Sequence, residues 1–209
     1  MDIKVAWDIV GGLSNPSKMP CYGFSIPAEK CKSGTRLRKI KNSVCSKCYA
    51  LKGRYVFGVA KKALAKRFDN LYHPQWCDSM VILITKLEKS GFFRWFDSGD
   101  VQSVEHLEKI VQVCNLTPNI QHWLPTREYH FVAQYIKKHG AFPSNLTVRV
   151  SAYMIDGLPP TSFAKAFDVV TSGVAKDSYS CPAYGQKGKC LDCRACWNKS
   201  VANVNYKLH

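Results

Sequence analysis

Apolar residues recur along this chain with two different periods, and the segments that show each period alternate. Stretches with apolar positions about every three to four residues predict helices. The predicted helices cover residues 56–72, 75–89, 104–114 and 129–138. Shorter apolar runs that end in polar turns predict buried strands between them. The predicted strands cover residues 3–10, 92–96, 120–124, 146–151 and 167–171, with Ser172-Gly173 closing the last one.

The alternation of strand and helix indicates an α/β fold in which right-handed crossovers join parallel strands. The chain has 209 residues, whereas a complete barrel of eight such units takes about 250 residues. We therefore expect one domain over residues 1–209, folded as a partial (β/α) barrel of about five to six parallel strands with cysteine-rich N- and C-terminal loops. In such folds, ligands collect at the carboxyl ends of the strands.

Polar residues follow several of the predicted strands, at the ends where ligands would collect. They are Asp97, Ser98, Asp100, Thr126, Arg127, Ser151 and Tyr153. For the D-S-G-D corner at 97–100, ordinary turn chemistry is an alternative explanation. Because the feature repeats at several strand ends, we expect a cofactor-binding rim to which the first five of these residues contribute.

The sequence contains ten cysteines, a large number for a chain of this length. Eight of them lie in two loop segments, 21–48 and 181–196. Cys77 and Cys114 fall within predicted helices, where we expect them to be buried small apolar residues. The N-terminus lacks the features of a secretory signal. We therefore expect a cytoplasmic protein, in which clustered cysteines bind metal more often than they form disulfides.

The second cysteine segment has the spacing C-x8-C-x2-C-x2-C, formed by Cys181, Cys190, Cys193 and Cys196. Successive two-residue gaps are typical of bacterial ferredoxins, in which a further cysteine is followed by proline, as Cys181 is here. Four thiolates close one [4Fe-4S] cluster and leave no iron open. The alternative is a structural zinc site with four cysteine ligands. We favour the cluster because zinc sites usually draw two pairs from separate loops.

The first cysteine segment contains one clear pair, Cys45 and Cys48, with an incomplete set of ligands around it. Cys31 is the strongest candidate for a third ligand because it lies in a nearby lysine-rich loop, and Cys21 is a weaker one. The pair could instead complete the C-terminal site, since the ends of a compact chain often meet. The sequence leaves both one shared cluster and two clusters open.

Four short segments carry a resemblance to a known family. They are residues 14–20 (SNPSKMP), 43–53 (SVCSKCYALKG), 95–100 (WFDSGD) and the cysteine motif of 181–197. Together they resemble the bacteriophage gene product 88 family over nearly the whole chain. The resemblance implies a phage-encoded protein that acts in the host cytoplasm.

A looser resemblance rests on the pair Cys45 and Cys48, which is followed by Tyr-Ala and then by alternating strands and helices. This arrangement looks like the start of a radical S-adenosylmethionine enzyme. In those enzymes, three cysteines spaced C-x3-C-x2-C hold a cluster and leave one iron open for the cosubstrate. The first of these cysteines would stand at position 41, which is Lys41 here. This departure argues against that chemistry.

Positive charge is concentrated in the first third of the chain. The formal net charge is +15, and the first 67 residues hold fifteen Lys and Arg against three Asp and Glu. Cations beside a cluster with four thiolates stabilise its negative charge. The excess also suits an acidic protein or a nucleic acid as a partner. No apolar stretch approaches the length of about 20 residues that crosses a bilayer.

These features together predict an iron–sulfur protein whose [4Fe-4S] cluster is held mainly by the C-terminal cysteines. Its role would be redox chemistry, electron transfer or a cluster-dependent reaction. The alternative is a zinc-stabilised basic protein that binds nucleic acid or a host protein. The sequence has neither a Gly-rich phosphate loop nor a G-x-S-x-G nucleophile, so an NTPase or a hydrolase is not supported.

Overall fold

A computed structural model describes residues 1–208 of the chain. The α-helices are α1 (Ile3–Val10), α2 (Lys32–Leu37), α3 (Gly58–Asp69), α4 (Trp76–Leu87), α5 (Val104–Leu116), α6 (Tyr129–His139) and α7 (Thr161–Ala166). The strands are β1 (Gly23–Phe24), β2 (Phe92–Trp95), β3 (Gln121–Thr126), β4 (Leu146–Ser151), β5 (Val170–Ala175) and β6 (Asn203–Lys207). Within residues 1–208, no helix is long and apolar enough to cross a membrane.

The strands form one sheet with the order β1-β2-β3-β4-β5-β6. Every neighbouring pair is parallel, so each connection crosses over the sheet before the next strand begins. The sheet does not close, and β1 and β6 form its edges. This open arrangement confirms the predicted α/β fold and agrees with a partial barrel of parallel strands.

The two faces of the sheet are covered by different parts of the chain. We call outer the face that packs against the helices, where Trp95, Leu124 and Val150 belong to one large apolar core. We call inner the opposite face, which carries Arg94, Trp123, Thr147 and Arg149. The inner face packs against the cysteine-rich C-terminal segment, since Trp123 shares a small core with Cys196 and Trp197.

Residues 3–10 form helix α1, not the predicted strand. The side chain of Asp2 caps the first turn, and Gly11 ends the helix with a φ of 81°. Ala6 and Val10 are four residues apart and fully buried, on the side that contacts α4. The prediction was wrong because the apolar pattern of this short segment fits either period, while its two caps specify a helix.

The last predicted strand also needs correction, and two strands escape the sequence pattern. β5 begins at Val170 and continues through Ser172 and Gly173, which the prediction placed at its end. β1 has two residues, and β6 carries polar residues at alternate positions. Neither shows the apolar run that predicts a buried strand. The other predicted helices and strands are confirmed, with ends that shift by at most three residues.

Candidate functional site

Three predicted ligands, Cys31, Cys45 and Cys48, lie together beyond the carboxyl ends of β2, β3 and β4. We call them the strand-end set, and all three are partly exposed. Cys45 and Cys48 are among the main electrostatic neighbours of Cys31. A Cβ added to Gly34 would lie 3.6 Å from the sulfur of Cys31 and 3.6 Å from that of Cys45. Because glycine has no side chain, the space between these two sulfurs stays open, and we call this space the cradle.

The segment after Cys31 is held by a buried carboxylate at the end of β3. The backbone N–H groups of Lys32 and Ser33 donate to Oε1 of Glu128 at 3.0 and 2.7 Å. The hydroxyl of Ser33 donates to Oε2 of the same residue at 2.7 Å. Glu128 is fully buried, so these three donors compensate its loss of water. The contacts fix the start of α2, and with it Cys31, against the sheet.

The segments around Cys45 and Cys48 are fastened to two other strand ends. The N–H of Val44 donates to the carbonyl of Tyr153, just beyond β4, at 2.8 Å. The hydroxyl of Tyr49 donates to the carbonyl of Asp97, just beyond β2, at 2.5 Å. Each cysteine of the strand-end set is thus adjacent to a residue bonded to a different strand end.

Hydrogen bonds join three residues of the predicted rim, Asp100, Thr126 and Arg127. Oδ1 of Asp100 accepts hydrogen bonds from the hydroxyl of Thr126 at 2.6 Å and from the N–H of Val101 at 2.8 Å. Oδ2 accepts from the N–H of Arg127 at 2.9 Å. Burial and the neighbouring charge of Glu128 raise the pKa of Asp100 to about 7. The carboxylate of Asp100 joins the ends of β2 and β3.

Asp97 and Ser98 lie at the same rim in different surroundings. The carboxylate of Asp97 accepts from the hydroxyl of Tyr55 at 2.8 Å and from that of Ser25. Ser98 is buried, and its hydroxyl has no hydrogen-bond partner among residues 1–208. Gly99 has a φ of +80°, and a Cβ there would lie 2.7 Å from a backbone oxygen. Turn geometry therefore accounts for the glycine, and no ligand is needed to explain it.

The remaining five cysteines of the two segments lie on the inner face. They are Cys21, Cys181, Cys190, Cys193 and Cys196, and we call them the inner-face set. Cys21 and Cys196 belong to one small buried core, against which Cys181 packs. Cys181 and Cys193 are among the main electrostatic neighbours of Cys190. The structure thus places Cys21 with the C-terminal cysteines, away from the pair at Cys45 and Cys48.

Burial of the thiols has a consequence for metal binding. It raises the pKa of Cys21 to about 12 and that of Cys196 to about 11. It also raises the pKa of Cys31 and Cys45. In the metal-free protein these thiols hold their protons at neutral pH. Since metals bind thiolates, loading either set must release protons.

The two thiol sets have different charged neighbours. Asp100 is among those of both Cys31 and Cys45, and Arg127 lies beside Cys45. Arg94 is among those of Cys21, Cys190 and Cys196. The main charged neighbours of Cys31 and Cys45 therefore differ from those of Cys21, Cys190 and Cys196.

Arg149 fixes the backbone that carries Cys196. It is fully buried on β4, and its Nε donates to the carbonyl of Cys196 at 2.9 Å. Its Nη groups donate, at 2.7 to 3.0 Å, to the carbonyls of Thr171, Ala195, Asn198 and Val201. All five N–H donors of this guanidinium therefore have acceptors. This one side chain therefore binds four carbonyls of the segment from 195 to 201 to the sheet.

Arg94, on the neighbouring part of the same face, interacts with Tyr49 and keeps one donor without a partner. Its Nε is buried and has no partner within the described residues. Its guanidinium stacks on the ring of Trp123, 4.6 Å from the centroid, and Nη1 makes a long contact of 3.7 Å with the sulfur of Met19. Among residues 1–208, neither Arg94 nor Arg149 forms an ion pair. The inner-face set thus faces two arginines that form no salt bridge, while Asp97 is an electrostatic neighbour of Arg94 and Glu88 is one of Cys21.

A single metal ion and a cluster need different spacing of their thiolates. In the described part of the chain, no group of three or more His, Cys, Asp or Glu residues could hold one metal ion. Four thiolates at about 2.3 Å from one zinc lie within about 4 Å of one another. In a [4Fe-4S] cluster each thiolate binds a different iron, so the sulfurs lie further apart. The finding therefore concerns a single ion and does not test a cluster.

Several residues of these sites carry little sequence signal. Arg149 was detectable, because it interrupts the apolar run of β4, whose six residues are all buried. Arg94 likewise interrupts the apolar run of β2, whereas Glu128 has no such mark. Cys77 and Cys114 lie in the helical core, which confirms the prediction that they are buried apolar residues.

Comparison with known proteins gives one match. No curated protein and no solved structure matches the chain. The sequence matches the gene product 88 family over residues 6–199, a span that includes both thiol sets. The comparison gives no support to the resemblance to radical S-adenosylmethionine enzymes. Because the match covers most of its length, the chain belongs to the gene product 88 family of phage proteins.

Proposed function

We propose that this protein binds a [4Fe-4S] cluster through the inner-face set and transfers single electrons. The observation that carries the proposal is the convergence of five thiols beside two arginines that form no salt bridge within residues 1–208. Bound to four thiolates, such a cluster is negatively charged and exchanges one electron with an external donor or acceptor. The positive charge of the inner face would then be neutralised by the cluster.

The ligands follow from the loop that carries them. Cys181, Cys190 and Cys193 lie on one loop, and the N–H of Cys193 donates to the carbonyl of Cys190 at 3.0 Å. The fourth thiolate comes from Cys196 or Cys21, both buried beside that loop. A full set of four thiolates leaves no iron for a substrate. Electron transfer is therefore the role that the ligand number favours.

The surrounding side chains provide rigidity and exclude water. Arg149 holds the carbonyls around Cys196, and the indole N–H of Trp197 donates to the carbonyl of Phe93 at 2.9 Å. Trp123 and Trp197 pack edge to face, with ring centroids 5.3 Å apart. Arg94 has a free N–H to donate to a cluster sulfur, which raises a reduction potential. The inner face is thus rigid, partly shielded from water and positively charged.

The other expectations from the sequence stay predictions. An acidic protein or a nucleic acid as partner rests on the charge of the first third of the chain, and location in the host cytoplasm rests on the resemblance. A structural zinc site is the competing outcome of the metal analysis described next.

The test uses the full chain, purified without oxygen, with the strand-end set removed as Cys31→Ser, Cys45→Ser and Cys48→Ser together. We expect this variant to keep iron and acid-labile sulfide, and to show a broad visible absorbance that bleaches when dithionite adds an electron. Cys190→Ser with Cys193→Ser should abolish that absorbance, while Cys77→Ser should not change it. A colourless triple variant that contains zinc without sulfide would overturn the proposal.

A further inference from the structure

We infer that this protein binds single-stranded nucleic acid on a positively charged surface within residues 30–66. The inference does not depend on the proposed cluster, because none of the residues that carry it belongs to the inner-face set. It assigns a ligand to charge that electron transfer leaves unexplained. The ligand is a flexible strand whose phosphates and bases are both accessible.

The positive charge of this part of the chain is not balanced by acidic residues. Residues 30–68 contain thirteen Lys and Arg and neither Asp nor Glu. Within the described residues, Lys66 alone among these cations forms an ion pair, with Asp8 at 3.0 Å. Eleven of the cations are exposed, and we call them the basic surface. They are Lys30, Lys32, Arg36, Lys39, Lys41, Lys47, Lys52, Arg54, Lys61, Lys62 and Lys66. Cations without partners attract a polyanion, since phosphates release counterions when they bind them.

The elements that carry the basic surface pack against one another. Residues 28–30 contact residues 49–51, and residues 53–56 contact α3. Helix α2 contacts the turns before and after it. Nζ of Lys30 lies over the ring of Phe68, 4.7 Å from its centroid, which joins the two ends of the segment. The cations therefore occupy one continuous part of the protein.

Aromatic rings are exposed among these cations. Phe57 is 63% exposed and Tyr49 is 40% exposed. The hydroxyl of Tyr55 donates to the carboxylate of Asp97, as described above, and its ring lies 5.8 Å from that of Tyr49 between centroids. Proteins that bind single strands stack successive bases on such rings beside a positively charged path for the phosphates. The exposed ring of Phe57 has the position that this stacking requires.

The form of the segment favours a single strand over other polyanions. A duplex is read by a helix or a β-ribbon in its major groove, and the faces of its bases are covered by stacking. A membrane surface is bound by a helix with a continuous apolar side. On α3, the side that exposes Val59 also carries Lys62 and Lys66, three and seven residues later. Exposed rings on turns, surrounded by cations, instead suit phosphates and unstacked bases together.

Salt dependence tests where the phosphates bind. The full chain is titrated with a fluorescein-labelled oligothymidylate of about 20 nucleotides, and anisotropy gives the dissociation constant at several salt concentrations. Lys61→Gln with Lys62→Gln should reduce the slope of log affinity against log salt by about 1.4, since each contact to a single strand contributes about 0.7. Lys86→Gln with Lys89→Gln is the matched control, because both lysines are exposed near the end of α4, outside the basic surface. Equal slopes in the two double variants would overturn the assignment of the surface.

Phe57→Leu tests the stacking separately from the charge. The dissociation constant should rise at least about fivefold, which corresponds to the lower value of about 1 kcal/mol for one stacked base. The salt slope should stay that of the wild type. Urea unfolding shows whether the fold is retained, which we expect because Phe57 is exposed. An unchanged dissociation constant in the folded variant would overturn the contact with bases.

Competition identifies the class of polyanion. Duplex DNA of the same length, polyglutamate and phosphatidylserine vesicles should each displace the strand only at charge concentrations at least about tenfold higher than unlabelled oligothymidylate. Equal displacement by any of the three would overturn the single strand as the ligand. Oligouridylate is titrated in parallel, and the lower dissociation constant identifies DNA or RNA as the preferred strand. Cys190→Ser with Cys193→Ser, which lacks the proposed cluster, should bind the strand as the wild type does. Failure of either proposal is therefore distinguishable from failure of the other.

Discussion

The two thiol sets lie against the same sheet and differ in how the protein supports them. The inner-face set has five thiols beside an aromatic core, and a buried arginine binds the backbone of its loop. The strand-end set has three partly exposed thiols on loops fastened to three strand ends. Cys181, Cys190 and Cys193 of the inner-face set are also partly exposed, so the two sets differ in the number of thiols and in their supports. Five thiols can supply the four thiolates of a closed [4Fe-4S] cluster, whereas three cannot.

Replacement of Arg149 is expected to have the largest effect, and it should affect one set alone. Arg149→Met removes five hydrogen bonds to backbone carbonyls, which should lower the free energy of unfolding by about 3–5 kcal/mol. Urea unfolding measures the change. The control is Arg94→Met, whose Nε has no partner and whose stacking on Trp123 contributes about 1 kcal/mol. Equal losses in the two variants would contradict the structural role of Arg149.

Replacement of Glu128 tests how the protein supports the strand-end set. Glu128→Ala removes three hydrogen bonds to the start of α2, so we expect a loss of about 2–3 kcal/mol in unfolding free energy. Any iron bound by the strand-end set should be lost, whereas the inner-face set should keep its iron. Glu108→Ala is the control, because Glu108 pairs with Lys138 and His139 at the surface and should contribute below about 1 kcal/mol. An equal loss of iron from both sets would show that Glu128 does not support the strand-end set alone.

Acid should weaken the core that both sets share. Burial lowers the pKa of His106 and of His122 to about 3 in the folded protein, whereas unfolded histidine has a pKa of about 6.5. As the pH falls, the unfolded chain therefore takes up protons on these two histidines before the folded protein does. The stability is complete above about pH 6.5 and falls as the pH drops towards 3, by up to about 1.4 kcal/mol per pH unit for each histidine.

The variant His122→Phe should reduce that pH dependence. It keeps a ring against Trp95, on which His122 stacks at 6.1 Å between centroids, and it removes one titrating group. Urea midpoints measured between pH 7 and pH 4 should then fall less steeply than in the wild type. An unchanged slope would show that His122 is not buried in its neutral form.

The smallest effect on stability is expected at Gly34. Gly34→Ala brings a Cβ to 2.9 Å from the Cβ of Cys31, and alanine favours the helix by about 1 kcal/mol. These terms oppose each other, so we expect a change within about 1 kcal/mol together with a loss of any iron that the strand-end set binds. Gly185→Ala is the matched control, since a Cβ there meets nothing within 4 Å. Strand-end iron that persists in Gly34→Ala would contradict a role of the cradle in binding it.

Much of the fold could be predicted from hydrophobic periodicity, because the middle of β3 and all of β4 are buried on both faces, β2 buries every second residue, and α3 to α6 present one apolar side. The pattern fails where a strand has too few or too polar residues. Gly23 and Phe24 are too short a strand to show a period, and Asn203 to Lys207 pair with β5 at the open edge of the sheet. Such strands form because they pair with neighbouring strands. The sequence pattern within one short segment does not contain that information.

The sequence predicts the groups of cysteines, but it does not predict how the cysteines divide between the two thiol sets. Spacing identifies Cys45 with Cys48, and also the C-terminal motif. It does not reveal that Cys21 lies with Cys190, because that proximity arises from the return of the C-terminal segment to the inner face. The same holds for Glu128, whose importance depends on a helix that begins 96 residues earlier in the chain. Contacts of this kind follow from the fold and have no sequence signature.

The metal and sulfide content of the wild-type protein, purified without oxygen, tests the central claim most directly. One [4Fe-4S] cluster at the inner-face set predicts at least about four iron and about four acid-labile sulfide per chain, with little zinc. Zinc in whole-number amounts without acid-labile sulfide would contradict an iron–sulfur cluster at the inner-face set.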